Sequence, residues 1–277
     1  MTCHVRVLRV TVAVCALVLA GCGSSKSSPK PAAAAADCPS ASPRTSVAGA
    51  PLDTILRVPK RDRHRRVPLV VALHFATGTG GAMERNTALT HEAREAGFDV
   101  AYPTASSSDH WWRPRDIPLL RRTIAAIERS ACVDRSRLYL VGWSNGGSGA
   151  VRAACELRHT VAAVALFAAA VNAERSCRPA HTPSLLEIHG TADPLWPYPR
   201  ARAFATAWAK DNDCGSPKKS SVGSRGTLLR WTGCKDGATF EHLRVKGARH
   251  IELLTDLRAA GIDPLDTVWR FLSRRSL

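Results

Sequence analysis

The chain has 277 residues, 45% of them apolar and 22% charged, enough for one packed α/β or β domain and too apolar for a disordered chain. Lysine and arginine number 39 against 23 acidic residues, a formal charge of +16. Beyond the first two dozen positions no run of about 18 apolar residues occurs, which excludes a polytopic membrane protein. No heptad, solenoid period or Gly-X-Y repeat is present.

Residues 1–21 read as a secretory signal: a short basic start with Arg6 and Arg9, an apolar core from Val10 to Leu19, and small residues Ala20 and Gly21 before Cys22. The run Leu19-Ala20-Gly21-Cys22 resembles the lipobox of bacterial lipoproteins. That resemblance implies cleavage before Cys22 and a lipid anchor on its thiol, placing the chain on the outer face of the cell membrane. The plainer alternative is an ordinary signal cleaved nearby. Either way only Arg6 and Arg9 are lost, so the basicity belongs to the mature protein. Residues 22–51, rich in Ser, Pro, Ala and Lys, hold few large apolar side chains and read as a flexible tether. The folded domain is expected over 52–277.

Setting aside Cys3, Cys15 and Cys22, six of the nine cysteines remain: Cys38, Cys132, Cys155, Cys177, Cys214 and Cys234. An even set in an exported chain reads as disulfides, and no C-x-x-C or His/Cys spacing suggests a zinc site. The best single pair is Cys214 with Cys234, since both sit beside turn residues (Asn212-Asp213, Gly233) and bracket one excursion. The pairing of the other four is open.

Within the domain, Val67 to His74 is a continuous aliphatic run, as in a strand buried on both faces of a parallel sheet. A Gly-rich loop (77–81) leads into a helical pattern from Ala82 to about Ala96. A strand follows at Phe98 to Tyr102, then a Ser-rich loop with Trp111 and Trp112. Helical spacing marks Asp116 to Arg129. Strands follow at 138–142, 161–167 and 185–189, with helices at 144–155, 199–210 and 263–274. Late strands at 227–231 and 241–245 flank the Cys234-Lys-Asp-Gly237 turn. Alternating strands and helices imply βαβ crossovers and a mostly parallel, doubly wound sheet in a single α/β domain.

Gly142-Trp143-Ser144-Asn145-Gly146 fits G-x-S-x-G and lies between a strand and a helix, where a sharp turn lifts a serine hydroxyl above the sheet edge. Ser144 is therefore the candidate nucleophile, against the reading that it merely caps a helix. A serine needs a base, and the base needs an orienting carboxylate. In this chain order the acid follows the serine and the histidine comes last. Asp193, after the strand 185–189, and His250, after the strand 241–245, both fall at strand carboxyl ends, where an open α/β sheet builds its site. The bland reading of Asp193 is an Asp-Pro turn. His189 and His242 sit inside strands and read as structural, and His74 shapes the loop after the first buried strand. The N–H groups of Phe75, or a neighbour, and of Asn145 are the candidate oxyanion donors.

The sequence resembles the polyhydroxybutyrate depolymerase and feruloyl esterase group of α/β hydrolases, which includes actinobacterial esterase lipoproteins. The likeness runs from about Leu52 to Leu254 and rests on Pro68 to His74, Cys132 to Gly147, Ile188 to Tyr198, the Cys214 segment and Trp231-Thr-Gly-Cys234. It implies an α/β-hydrolase fold, a serine carboxylic-ester hydrolase working through an acyl-enzyme without cofactor or metal, Ser144, Asp193 and His250 as the triad, and the Cys214–Cys234 disulfide. Two departures stand out: relatives continue His-Gly where this chain has His74-Phe75, narrowing the oxyanion loop, and they place a tryptophan after the histidine where this chain has Ile251-Glu252.

Trp111, Trp112, Trp143 and Trp196 read either as walls of a substrate pocket or as ordinary core. The basic run Lys60 to Arg66 is a solvated edge or a contact for anionic lipid or cell-wall polymer. No motif supports nucleic-acid binding. The rival from another class is a non-catalytic surface lipoprotein that uses the scaffold for binding, with Phe75 obstructing the oxyanion site.

Overall fold

A computed structural model describes residues 46–59, 65–157, 160–173, 179–252 and 257–277, all within the unit Asp37–Leu277. The signal, Cys22, Cys38, most of the Lys60 to Arg66 run and Cys177 lie outside the described residues. The described strands are β1 (Thr54–Arg57), β2 (Val67–Leu73), β3 (Asp99–Pro103), β4 (Val133–Trp143), β5 (Ala163–Phe167), β6 (Ser184–Gly190), β7 (Lys218–Val222), β8 (Gly226–Trp231) and β9 (Phe240–Val245). The helices are α1 (Gly80–Asn86), α2 (Leu89–Ala96), α3 (Asp116–Ser130), α4 (Asn145–Glu156), α5 (Tyr198–Asp211) and α6 (Pro264–Leu272).

All nine strands form one sheet in the order β1-β3-β2-β4-β5-β6-β9-β8-β7. The six strands from β3 to β9 pair in parallel, whereas β1, β8 and β7 join antiparallel at the two flanks. This is the mostly parallel, doubly wound sheet expected from the alternation of elements, in the α/β-hydrolase form that the resemblance implies. Strand direction sorts the core into two layers, because side chains alternate across a pleat. Leu69, Val71, Leu73, Leu138 and Leu140 face α3, α4 and α5. Val70, Ala72, Tyr139, Val141 and Trp143 face α1, α2 and α6.

The chain moves outward from β2 to β3, then crosses to β4 and continues the other way. That reversal opens a crevice between the carboxyl ends of β2 and β4, the position where such sheets bind ligands. The ends are aligned, with Leu73 opposite Gly142.

Four details differ from the sequence reading. The helix expected over 82–96 is two helices, since Thr87 takes an extended backbone and turns its hydroxyl onto the Met83 carbonyl at 2.9 Å. The edge strands β1 and β7 carry no strong apolar pattern and are recruited by pairing with β3 and β8. β4 begins at Val133, ahead of the apolar run at 138–142. Core packing also begins before Leu52, because Val47 is buried. Cys214 and Cys234 form a disulfide across 20 residues, tying the ends of the β7–β8 excursion. Cys132 and Cys155 are each disulfide-bonded too, but not shown to be bonded to one another.

Candidate active site

Ser144 sits between β4 and α4 with φ 54° and ψ −118°, a region that side chains rarely adopt and that marks a sharp, strained turn. Backbone bonds hold it there: its N–H donates to the Phe167 carbonyl at 2.9 Å, and its carbonyl accepts from Gly147 and Ala170 at 2.9 and 3.0 Å. The glycines are required by contact. A Cβ on Gly146 would lie 2.1 Å from the Leu73 carbonyl oxygen, and one on Gly142 would lie 2.5 Å from the Gly146 oxygen. The elbow is therefore wedged against the end of β2 at backbone distance.

The loops after β6 and β9 are zipped together. The Thr191 N–H donates to the Val245 carbonyl at 2.9 Å and the Ala192 N–H to the Ala248 carbonyl at 3.1 Å. The Gly247 N–H donates to Thr191 Oγ1 at 2.8 Å. A Cβ on Gly190 would lie 2.1 Å from the Ala248 oxygen, so only glycine permits this approach. The zipper delivers Asp193 and His250 to each other, with His250 Nδ1 2.7 Å from Asp193 Oδ2. A carboxylate only accepts, so Nδ1 carries the proton and Nε2 keeps a free lone pair. The other Asp193 oxygen accepts from the Leu195 and Trp196 N–H groups, each at 2.9 Å. Burial raises the Asp193 carboxyl, but bonds from His250 and the Trp196 N–H, with the nearby His250 and His189 rings, outweigh it and hold it below the usual carboxylate range.

Ser144 and His250 line one cavity of about 740 Å³ with Asn145, Trp111, Trp112 and Trp196. Among the described residues no hydrogen bond joins Ser144 Oγ to His250, and apo sites of this kind commonly tighten only with substrate.

The candidate oxyanion loop is fixed by His74. The Ala105 N–H donates to His74 Nε2 at 3.0 Å, so Nε2 is the acceptor and Nδ1–H faces the Phe75 carbonyl at 2.7 Å. Burial pushes His74 below the ordinary histidine value, which favours this neutral form. Trp112 Nε1 donates to the His74 carbonyl at 3.1 Å, and the Trp112 N–H donates to Asn145 Oδ1 at 2.8 Å. One network thus connects the elbow, the aromatic loop and the end of β2. Among the described residues no hydrogen bond is donated by the N–H groups of Phe75, Ala76 or Asn145.

One of the four tryptophans is placed away from the pocket, in the core that is its other reading. Trp143 is not a cavity wall: it belongs to the opposite face of β4 with Tyr139 and Val141, buried against the Phe75 ring at 4.6 Å. Phe75 turns its ring onto Trp143, and the residue of this loop that lines the cavity is Ala76. The bulk at position 75 is therefore absorbed by the core. Trp111 and Leu195, 43% and 69% exposed, stand on the rim.

Sequence reasoning passed over Glu187, which is fully buried on β6 beside His189 and His242. The available signal was the carboxylate itself, lying in the otherwise apolar run Leu185-Leu-Glu-Ile188.

No family model matches the chain. In sequence the chain is 30% identical over 189 residues to NocK of Nocardia uniformis subsp. tsuyamanensis, covering 64% of this chain and 54% of NocK. It is 26% identical over 223 residues to feruloyl esterase B of Piromyces equi, covering 68% of this chain and 40% of that protein. The chain thus spans about half the length of these relatives, or less. Among solved structures, an acetyl xylan esterase from Aspergillus awamori matches with a TM-score of 0.67 at 14% identity, over 84% of this chain and 98% of that one. Sheet order, elbow and structural likeness agree on an α/β-hydrolase fold, and in sequence the chain is similar to esterases, feruloyl esterase B among them.

Proposed function

We propose that the protein is an exported serine carboxylic-ester hydrolase that works through an acyl-enzyme, with Ser144, Asp193 and His250 as its triad. The observation that carries this reading is the 2.7 Å His250–Asp193 pair opening onto the same cavity as a serine on a strained elbow. His250 Nε2 takes the Ser144 proton as Oγ attacks the ester carbonyl, and Asp193 stabilises the imidazolium. The Asn145 N–H, at the start of α4, and an N–H of the Phe75-Ala76 loop receive the negative oxygen. The alcohol leaves with the proton from His250, and water, deprotonated by the same nitrogen, releases the acid and restores Ser144.

The rim of Trp111, Trp112, Leu195 and Trp196 favours an ester with a flat or apolar acyl group. Feruloyl and acetyl esters are the first substrates to test, given what the similar proteins are named for, and hydroxybutyrate esters follow from the sequence resemblance. The wild type is expected to react with a fluorophosphonate probe, and Ser144→Ala to lose both labelling and turnover of p-nitrophenyl acetate. An unlabelled, inactive wild type would favour the binding-module reading instead.

The lipobox resemblance supports an anchor at Cys22. Labelled palmitate should enter the wild type and not Cys22→Ser; equal labelling of both would remove the anchor. The basic composition supports attraction to anionic lipid or cell-wall polymer. Arg274 and Arg275, which line a cleft of about 530 Å³ beside α6 with no described ion pair of their own, add to that attraction.

A further inference from the structure

Behind Asp193 stands a row of ionisable side chains that the proposed triad does not use. Glu187 and His189 share β6, and His242 of β9 is the register partner of Glu187. All three side chains are fully buried. Glu187 Oε2 lies 2.9 Å from His242 Nδ1, and Glu187 Oε1 lies 3.5 Å from His189 Nδ1. The other His189 nitrogen, Nε2, is 2.8 Å from the Trp196 carbonyl oxygen and 3.4 Å from Asp193 Oδ2. Neither Glu187 Oε1 nor His189 Nδ1 has an aligned hydrogen-bond partner, so their mutual contact is one of charge at ion-pair distance.

Donor counting separates the two histidines. The His242 Nε2 faces the Tyr198 hydroxyl at 3.3 Å, which donates as readily as it accepts, so one ring proton satisfies His242. His189 has no such freedom. Both of its nitrogens face oxygens that only accept, and a neutral ring would turn a lone pair onto a carboxylate at one end or onto a carbonyl at the other. In a buried site that mismatch is costly.

We infer that His189 is held as an imidazolium between Glu187 and Asp193, and that it is a positioning residue which fixes Asp193 and moderates the negative field on His250. The inference rests on the proposed triad for its catalytic consequence but not for the protonation itself.

The surroundings agree. Burial works against the charge on His189, but the Glu187 contact, the Trp196 carbonyl and the Asp193 charge outweigh it and raise the ring above its ordinary value. Glu187 is correspondingly held low: burial raises it, and His189 and His242 overcome that. Other groups facing His189 are Tyr198 of α5, with ring centres 6.3 Å apart, and Arg244, its register partner on β9, whose guanidinium donates to Thr227 Oγ1 at 3.2 Å.

A cation beside Asp193 weakens the carboxylate's hold on the His250 proton, so removing the cation should make His250 harder to deprotonate. Nitrogen-15 NMR of the whole wild-type chain is expected to find both His189 ring nitrogens protonated at neutral pH. A neutral His189 there overturns the inference. In Glu187→Gln the ring should become neutral, and the acidic limb of kcat/KM should move to higher pH by about half a unit to one unit. His189→Gln should produce the same shift and serves if Glu187→Gln fails to fold. Lower kcat with an unmoved limb in both variants would reduce these residues to packing and overturn the charge role. The spectrum needs no turnover, so a wild type without esterase activity would sink the proposed reaction while leaving the protonation result to stand or fall separately.

Discussion

The rim that carries Ser144 and the rim that carries His250 border one cavity, yet different forces hold them. On the serine side, glycines let backbone meet backbone, and the side chains that matter, His74, Asn145 and Trp112, bond in neutral forms. On the histidine side, the geometry depends on buried charge, running from Glu187 through His189 and Asp193 to His250. The first arrangement is uncharged at neutral pH, with burial holding its one histidine, His74, in the neutral form. The second is not, and the proposed reaction, in which a proton is gained and lost in each cycle, would then keep its titratable machinery apart from its steric frame.

Asp193→Asn should give the largest effect. The amide can preserve the turn contacts to Leu195 and Trp196 but presents a donor to His250 and favours the wrong tautomer, so kcat should fall about 10⁴-fold. A loss below tenfold would show that the acid–base side does not depend on that carboxylate. Gly146→Ala probes the other side. Its Cβ would meet the Leu73 carbonyl at 2.1 Å, and backbone cannot swing away, so about 3 kcal/mol of stability should go, equally at acid and neutral pH. An unchanged melting temperature would break the steric half of the contrast.

The smallest effect is the pH dependence of stability. Glu187 and Asp193 are held below their ordinary values, so their contribution is present above the ordinary carboxylate range and is lost as pH falls through the folded values. His189 is held above its ordinary value of 6.5, so its contribution is present below that value and fades as pH rises through the folded one. Melting curves should therefore peak between the two ranges. Glu187→Gln should flatten both flanks, and a flank as steep as the wild type's would assign the pH dependence to other groups.

Much of the frame is legible in the sequence. The buried parallel strands are written as uninterrupted aliphatic runs, and the elbow is legible because only glycine tolerates backbone contact on either side of Ser144. What is not legible depends on partners distant in the chain. β7 is Lys-Lys-Ser-Ser-Val and becomes a strand only because β8 offers a ladder. The break at Thr87 has no Pro or Gly to announce it, since the interruption is made by a threonine hydroxyl. Trp143 was assignable by parity, because Tyr139, Val141 and Trp143 alternate with Leu138 and Leu140 along one strand, but motif adjacency to Ser144 pointed the other way. Glu187 and His189 look like two isolated polar residues in a strand until β9 brings His242 beside them and the following loop returns Asp193.

Among the described residues the sheet ends at β7, a strand exposed along nearly its whole length and bonded on one side alone. A bare ladder of N–H and carbonyl groups invites a neighbouring molecule to add its own strand, and many copies on one surface would make such encounters frequent. Lys218 and Lys219 stand at that margin. Docking a further strand would require stripping water from two ammonium groups and pressing together chains of the same sign, so the margin discourages self-association without any cap of additional structure.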